Sequence, residues 1–244
     1  MIQFILITVV GFVVGTINGM AGGASVISYP VLLGAGLPPV NAAVTNALGV
    51  SSANLFALLG ERKNLRAMIA SNWSLIAISM ASSAAGAALL LSLPPYIFEK
   101  LVPFLLLIAT LTLLIPTKIE LRKSHKRIEY VAIGASGFYG GYFGPGQGVM
   151  VIAALAQDAN RDPKTLNNTK NIIVGITSMV YNIIYLFSGR ADWLLVLALF
   201  IGSSLGGALG GKWASKASPI FYRALVFIIG IGASVWLFER YILN

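Results

Sequence analysis

The sequence predicts an all-α integral membrane protein built from two inverted repeats. In each repeat a broken or re-entrant helix pair is followed by three transmembrane helices. Three observations predict this. First, 57% of the 244 residues are hydrophobic and only 10% are charged. A soluble domain carries about 25% charge, so this chain has too little to cover a water-facing surface. Second, the glycine-rich stretch Gly15-Thr-Ile-Asn-Gly-Met-Ala-Gly-Gly23 has a counterpart in Gly140-Gly-Tyr-Phe-Gly-Pro-Gly-Gln-Gly148. Third, lysine and arginine gather in alternate loops.

The first repeat is residues 1–117. Residues 2–17 are predominantly apolar and lead into a break at Asn18–Gly23; residues 24–35 are apolar again. These runs reach roughly 24 and 18 Å, against about 30 Å of hydrocarbon. They read as two half-helices or a re-entrant hairpin, tolerated only where the broken backbone is buried in protein or lines a polar cavity. Leu37-Pro38-Pro39 marks a turn. Residues 40–60 form a helix on which Thr45 and Ser52 share a face, with Asn46 and Asn54 beside it. Glu61–Arg66 is a polar loop. Residues 67–93 are long enough to cross and carry the small-residue patch Ser82–Ala88, suited to close helix packing. Pro94-Pro95 turns the chain and residues 97–116 cross again.

Residues 118–127 form a basic linker, and residues 128–244 repeat the order of features. Residues 128–143 are apolar, the break falls at Gly144–Gly148, and residues 149–157 are a short run. A polar turn, Asp158–Lys164, precedes a polar-striped helix over 165–188. Residues 193–213 carry the small-residue patch Ser203–Gly211. Ser218-Pro219 matches Pro94-Pro95, and residues 220–238 form the last span.

Orientation follows from the basic residues. With the Lys118–Arg127 loop cytoplasmic, thirteen of the seventeen lysines and arginines lie inside. They are Arg62, Lys63, Arg66, Lys118, Arg122, Lys123, Lys126, Arg127, Arg161, Lys164, Lys212, Lys216 and Arg223. Lys100, Arg190 and Arg240 lie outside, and Lys170 is intramembrane. This positive-inside bias puts both termini outside and inverts the repeats. Inverted repeats with broken helices are a transporter architecture whose site lies near the midplane. Trp73, Trp193, Trp213 and Trp236, near span ends, read as interfacial anchors. The apolar start has no basic segment before it, and we expect it to be mature structure rather than a cleaved signal.

The function classes narrow by what is missing. Cysteine is absent and His125 is the single histidine, so no thiolate, histidine-cluster or metal site is expected. No GxxxxGK[ST] motif and no cofactor motif is present. No Asp or Glu falls clearly inside a span, which argues against a carboxylate proton relay, a cation pathway and an enzyme. The +9 net charge is accounted for by topology, so no nucleic-acid partner is implied. The expected partners are the lipid bilayer and a small anion; a homo-oligomer stays open.

The candidate site residues follow from the breaks. Glycines let backbone approach a ligand, and a helix starting after a break aims N–H groups and a positive dipole end into the gap. Two such ends favour an anion at Asn18, Gly19, Gly22, Gly23, Gly144, Gly146, Gln147 and Gly148. Thr45, Asn46 and Thr169 are neutral hydrogen-bonding groups nearby. Lys170 costs about 2.5–3.5 kcal/mol in hydrocarbon, so it either faces a polar cavity or snorkels to the cytoplasmic surface. Thr177 and Tyr181 share its helix face.

The pattern also resembles a known family. A glycine-rich break, then Tyr29-Pro30-Val-Leu, then Ala42-Ala-Val-Thr45-Asn46, with a second glycine-rich break and Asn168-Thr169-Lys170, is similar to the sulfite exporter TauE/SafE family, also called the toluene-sulfonate uptake permeases. The likeness covers essentially the whole chain. It implies a multi-pass inner-membrane transporter, not an enzyme, that moves small sulfur-containing anions such as sulfite, thiosulfate, sulfoacetate or other organosulfonates. It implies the same substrate region as the residues above. The alternatives are an anion channel with the same midplane site and a membrane-embedded subunit of a sulfur-metabolism enzyme.

Overall fold

In the computed structural model every regular element among the described residues is a helix. The described residues are 1–20, 22–59, 63–114, 126–157, 161–213 and 219–243, with side chains from 223 onward in the last segment. Most of the basic linker, Ala21, the Glu61-Arg62 part of the first polar loop, Asp158–Asn160, Lys216 and Ser218 lie outside them. The order is α1 (Ile2–Met20), α2 (Ser25–Gly34), α3 (Pro39–Val50), α4 (Ser52–Ala57), α5 (Leu65–Ser71), α6 (Trp73–Ser92) and α7 (Pro95–Thr112). Then follow α8 (Lys126–Tyr142), α9 (Gln147–Leu155), α10 (Pro163–Leu186), α11 (Trp193–Trp213) and α12 (Pro219–Phe238), closed by a π-helical turn at Glu239–Leu243.

Five stretches among the described residues are long and apolar enough to cross a bilayer: Ile2–Met20, Trp73–Ser92, Pro95–Thr112, Trp193–Trp213 and Arg223–Leu243. The chain is an all-α, multi-pass membrane protein. Trp73, Trp193 and Trp213 stand at the ends of α6 and α11 and are about half exposed. The Arg240 guanidinium lies 5.4 Å from the Trp236 ring centroid and 5.5 Å from that of Tyr241, a tie at the end of the last span.

The elements differ from the sequence expectation in three places. First, α1 runs through Asn18 and Gly19 to Met20. At about 28 Å it is a crossing helix rather than a half-helix. Gly19 stays helical because α1 packs on α11 so closely that a Cβ there would lie 2.8 Å from the Gly207 carbonyl oxygen. Second, the helix expected over 40–60 is two, divided at Ser51. The Ser51 hydroxyl donates to the Leu48 carbonyl at 3.0 Å, and such back-bonding competes with the helical ladder. Third, the span expected over 67–93 is α5 and α6, divided at Asn72, whose amide donates to the Met68 carbonyl at 2.9 Å.

Packing exchanges elements between the halves. Helix α1 of the first half packs along α11 of the second, and α8 of the second half packs along α6 of the first. In the first seam, a Cβ on Gly15 would meet Ser203 backbone at 2.3 Å. In the second, one on Gly141 would lie against the Ser83 carbonyl. Both small-residue patches therefore serve backbone-to-backbone seams between halves, the arrangement small residues permit in lipid. In the same way α12 touches α2 while α7 touches α9. The Glu129 carboxylate accepts from the Arg161 guanidinium at 2.6 Å, tying the start of α8 to the approach to α10.

Candidate functional site

Both glycine breaks are built the same way. At the end of α1 the Gly22 N–H returns to the Ile17 carbonyl at 3.2 Å. At the end of α8 the Gly144 N–H returns to the Tyr139 carbonyl at 3.1 Å. Each is a five-residue closure of the kind that ends a helix at a left-handed residue. Gly22 and Gly23 have φ of 81° and 89°; Gly144 and Gly146 have 95° and 89°. Each break is then followed by a new helix, at Ser25 and at Gln147.

The two breaks touch. A Cβ built on Gly22 would lie 2.9 Å from the Gly148 Cα, and one on Gly148 would lie 3.1 Å from the Gly22 Cα. The N-terminal ends of α2 and α9 therefore border one cavity. Its lining includes Asn18, Gly22, Gly23, Ser25, Asn46, Asn54, Gly144, Gly146, Gln147, Gly148 and Tyr181. Its volume is about 30 Å³, enough for a water or two. Among the described residues no acidic side chain lines it.

Asn18 organises the first break. Its carbonyl oxygen Oδ1 accepts from the Ala24 N–H at 2.9 Å, and its Nδ2 donates to the Ser25 hydroxyl at 3.2 Å. The Ser28 hydroxyl donates to Asn46 Oδ1 at 2.5 Å. In the second break Gln147 takes the position of Ser25, as the first residue of the new helix. Its amide folds against α8 where Gly140 leaves room. Gln147 is 2% exposed and its Nε2 has no hydrogen-bond partner. A buried donor left unpaired costs about 1–3 kcal/mol, and here it belongs to a side chain lining a polar cavity.

Lys170 is fully buried, which removes the snorkelling alternative. Its ammonium donates to the Asn18 carbonyl and to Asn171 Oδ1, each at 2.6 Å. Asn167 and Asn171 donate to the Gly19 carbonyl at 3.0 and 3.3 Å. The polar face of α10 thus caps the carboxyl end of α1, where a positive charge meets the negative end of the helix dipole. Among the described residues no carboxylate pairs with Lys170. An ammonium has three donors, and two are engaged. The Lys170 stem passes 3.5 Å from where a Gly148 Cβ would stand, so the lysine side chain runs directly behind the crossing of the breaks.

Of the sequence-predicted residues, the structure brings Asn18, Gly22, Gly23, Asn46, Gly144, Gly146, Gln147 and Gly148 to the cavity wall. Gly19 and Lys170 form the layer behind it. The threonines are elsewhere. Thr45 Oγ1 accepts from the Asp192 N–H at 3.0 Å, and Thr169 is buried away from the cavity. Ser52, on the Thr45 face, bonds Ser203 and Ser204 of α11, and Thr177 donates to Ser79 of α6. Ser25 and Ser51 line the cavity without having been singled out, and Asn54, one of the neutral hydrogen-bonding groups that the sequence offered beside Asn46, lines it too. The i, i+4, i+8 spacing of Asn46, Val50 and Asn54 was the available signal. No group of three or more His, Asp or Glu that could hold a metal occurs among the described residues.

Two helix starts, a buried lysine and an acid-free polar cavity inside an all-α multi-pass protein define a membrane transporter class of molecule. The comparisons agree. The sulfite exporter TauE/SafE family matches residues 7–237. A probable membrane transporter protein of Haemophilus influenzae is 32% identical, covering 90% of this chain and 88% of its own length. One from Sinorhizobium is 27% identical over 93% and 89%, and the Escherichia coli protein YfcA, also described as a probable membrane transporter, is 24% identical over 90% and 84%. The chain belongs to the sulfite exporter TauE/SafE family, which places it among membrane transporters rather than enzymes.

Proposed function

We propose that this protein is a secondary transporter or facilitator for a small sulfur-containing anion: sulfite, thiosulfate, sulfoacetate or another organosulfonate. The observation that carries the reading is a buried, carboxylate-free Lys170 behind the crossing of two helix starts, beside the unpartnered amide of Gln147. An oxyanion supplies several acceptors at once, which suits convergent donors. The family description favours sulfur as the central atom.

The anion binds at the cavity and is held by Gln147, by N–H groups of the glycine breaks and by Lys170. Asn18 and Asn46 orient these groups. The exchanged seams, α1 on α11 and α8 on α6, support two inverted repeats (1–117 and 128–244) rocking about the site. The protein sits in the cell inner membrane with the 118–127 linker cytoplasmic and both termini outside, following the lysine and arginine bias. An anion channel with the same site is the second reading.

The test is thermal unfolding of purified protein in detergent with sulfite, thiosulfate, sulfate, a sulfonate, chloride and a dicarboxylate in turn. A ligand at 100 times its Kd stabilises by about 2.7 kcal/mol. We expect a rise with a sulfur oxyanion, lost in Lys170→Gln. A rise with the dicarboxylate alone would overturn the substrate class. Counterflow in liposomes separates carrier from channel, since only a carrier accelerates uptake when loaded on the far side.

A further inference from the structure

A second cavity lies away from the anion site, between α4, α5 and α10. It is a groove of about 180 Å³ lined by Leu55, Leu58, Leu59, Leu65, Ile69, Ile172 and Ile176. Every lining residue among those described is aliphatic. Ile172 and Ile176 lie about 13 and 20 Å along α10 from its start at Pro163, so the inner end of the groove reaches acyl-chain depth. Leu65 and Ile69 belong to α5, a seven-residue helix with no buried residue. Lys63 and Arg66 flank Leu65 in sequence, exposed and without an acidic partner among the described residues.

We propose that this groove is a binding site for one anionic phospholipid, with an acyl chain along Leu55, Leu58 and Ile176 and the headgroup phosphate against Lys63 and Arg66. The aliphatic wall suits an acyl chain and not a soluble anion, and the two exposed bases that flank Leu65 in sequence supply charge that matches an anionic headgroup. Bases next to a membrane surface attract anionic headgroups. The groove shares its walls with the anion site. Leu55 packs where Gly175 leaves room, with a Gly175 Cβ coming within 2.6 Å of it, and its neighbour Asn54 lines the anion cavity. Ile172 follows Lys170 and Asn171 on the same helix. A lipid seated here bears on the α4–α10 contact that the anion site uses.

The experiment compares phosphatidylglycerol with phosphatidylcholine of identical chains, added to the delipidated full-length protein in detergent, with thermal unfolding as the readout. Phosphatidylglycerol should raise Tm by a few degrees more than phosphatidylcholine. The double variant Lys63→Ser/Arg66→Ser, altered at exposed positions, should fold normally and lose that difference. Ile176→Trp, which fills the groove, should reduce the response to both lipids. A photoreactive phosphatidylglycerol should label peptides of α4, α5 or α10. Equal shifts with the two lipids would overturn the proposal. So would a difference that survives the double variant, or labelling confined to other helices.

Discussion

The two glycine breaks share one backbone design but treat their polar groups in opposite ways. Around the first break the donors are paired, and only an acceptor, Asn167 Oδ1, is left without a partner among the described residues. Asn18 satisfies Ala24 and Ser25, and the Asn18 and Gly19 carbonyls take Lys170, Asn167 and Asn171 from α10. At the second break the Gly141 carbonyl is taken by the Tyr185 hydroxyl, but the Gln147 amide nitrogen and the Tyr142 hydroxyl have no partner. The difference teaches that duplicated sequence does not mean duplicated duty. The first break is a scaffold held by the opposite half. The second leaves the Gln147 donor unpaired, which is where the proposed anion would bind.

The largest effect should come from what both breaks share. Gly22→Ala places a methyl group against Gly148 in a left-handed backbone. The left-handed penalty of about 1–2 kcal/mol adds to overpacking of about 1–3 kcal/mol. We expect the yield of folded protein and its Tm to fall sharply, measured by size-exclusion chromatography and thermal unfolding. Normal stability would mean that the breaks part easily, and the contact would not be a structural crossing.

A paired set of substitutions tests the contrast itself. Asn18→Ala strips the scaffold and leaves the Ala24 N–H unpaired, at about 1–3 kcal/mol. It should lower Tm in the absence of ligand. Gln147→Met keeps size, removes a donor that has no partner in the protein, and should leave Tm unchanged or slightly higher. Its anion affinity should fall about tenfold, the loss of about 1.4 kcal/mol. The readouts are unliganded Tm and the titration midpoint for the stabilising anion. If Gln147→Met lost stability and kept affinity, the assignment of roles would reverse.

How much of this was legible depends on the range of the interaction. The fold class, the order of features and both glycine breaks were carried by composition and by local pattern, so a reading along the chain found them. Asn18, Asn46 and Gln147 stood out as amides in or beside apolar, glycine-rich sequence. Thr45 and Thr169 misled because helical periodicity says which residues share a face and not which neighbour that face meets. Thr45 faces the approach to α11. The duty of Lys170 was hidden for the same reason: its partner carbonyl is 152 residues away, and only the packing of α10 on the end of α1 brings them together. The division of 40–60 at Ser51 was also missed, because a serine back-bond looks in sequence like any other helical serine.

The smallest effect separates the polar helices that follow the two breaks. Both α3 and α10 start at a proline, Pro39 and Pro163. Ahead of α3 stands Pro38, with no side-chain cap. Ahead of α10 stands Asp162, whose carboxylate accepts from the Lys164 and Thr165 N–H groups at 3.0 and 3.1 Å and from the Thr165 hydroxyl at 2.6 Å. The bond from the Thr165 side chain, then that from its backbone, holds this exposed carboxyl below its usual range. Folded protein therefore binds this proton less readily than unfolded chain. The cap's contribution is present above the ordinary carboxylate pKa and is lost as pH falls through the lowered one. Asp162→Ala should cost little at neutral pH, and the gap in Tm between it and the parent should close as the buffer is taken below the carboxylate range. A matching exchange ahead of α3, Pro38→Ala, should show no such pH dependence, because no titrating group caps that helix. A gap that stayed constant with pH would mean that Asp162 acts by backbone shape alone, and the two helix starts would differ less than their hydrogen bonds suggest.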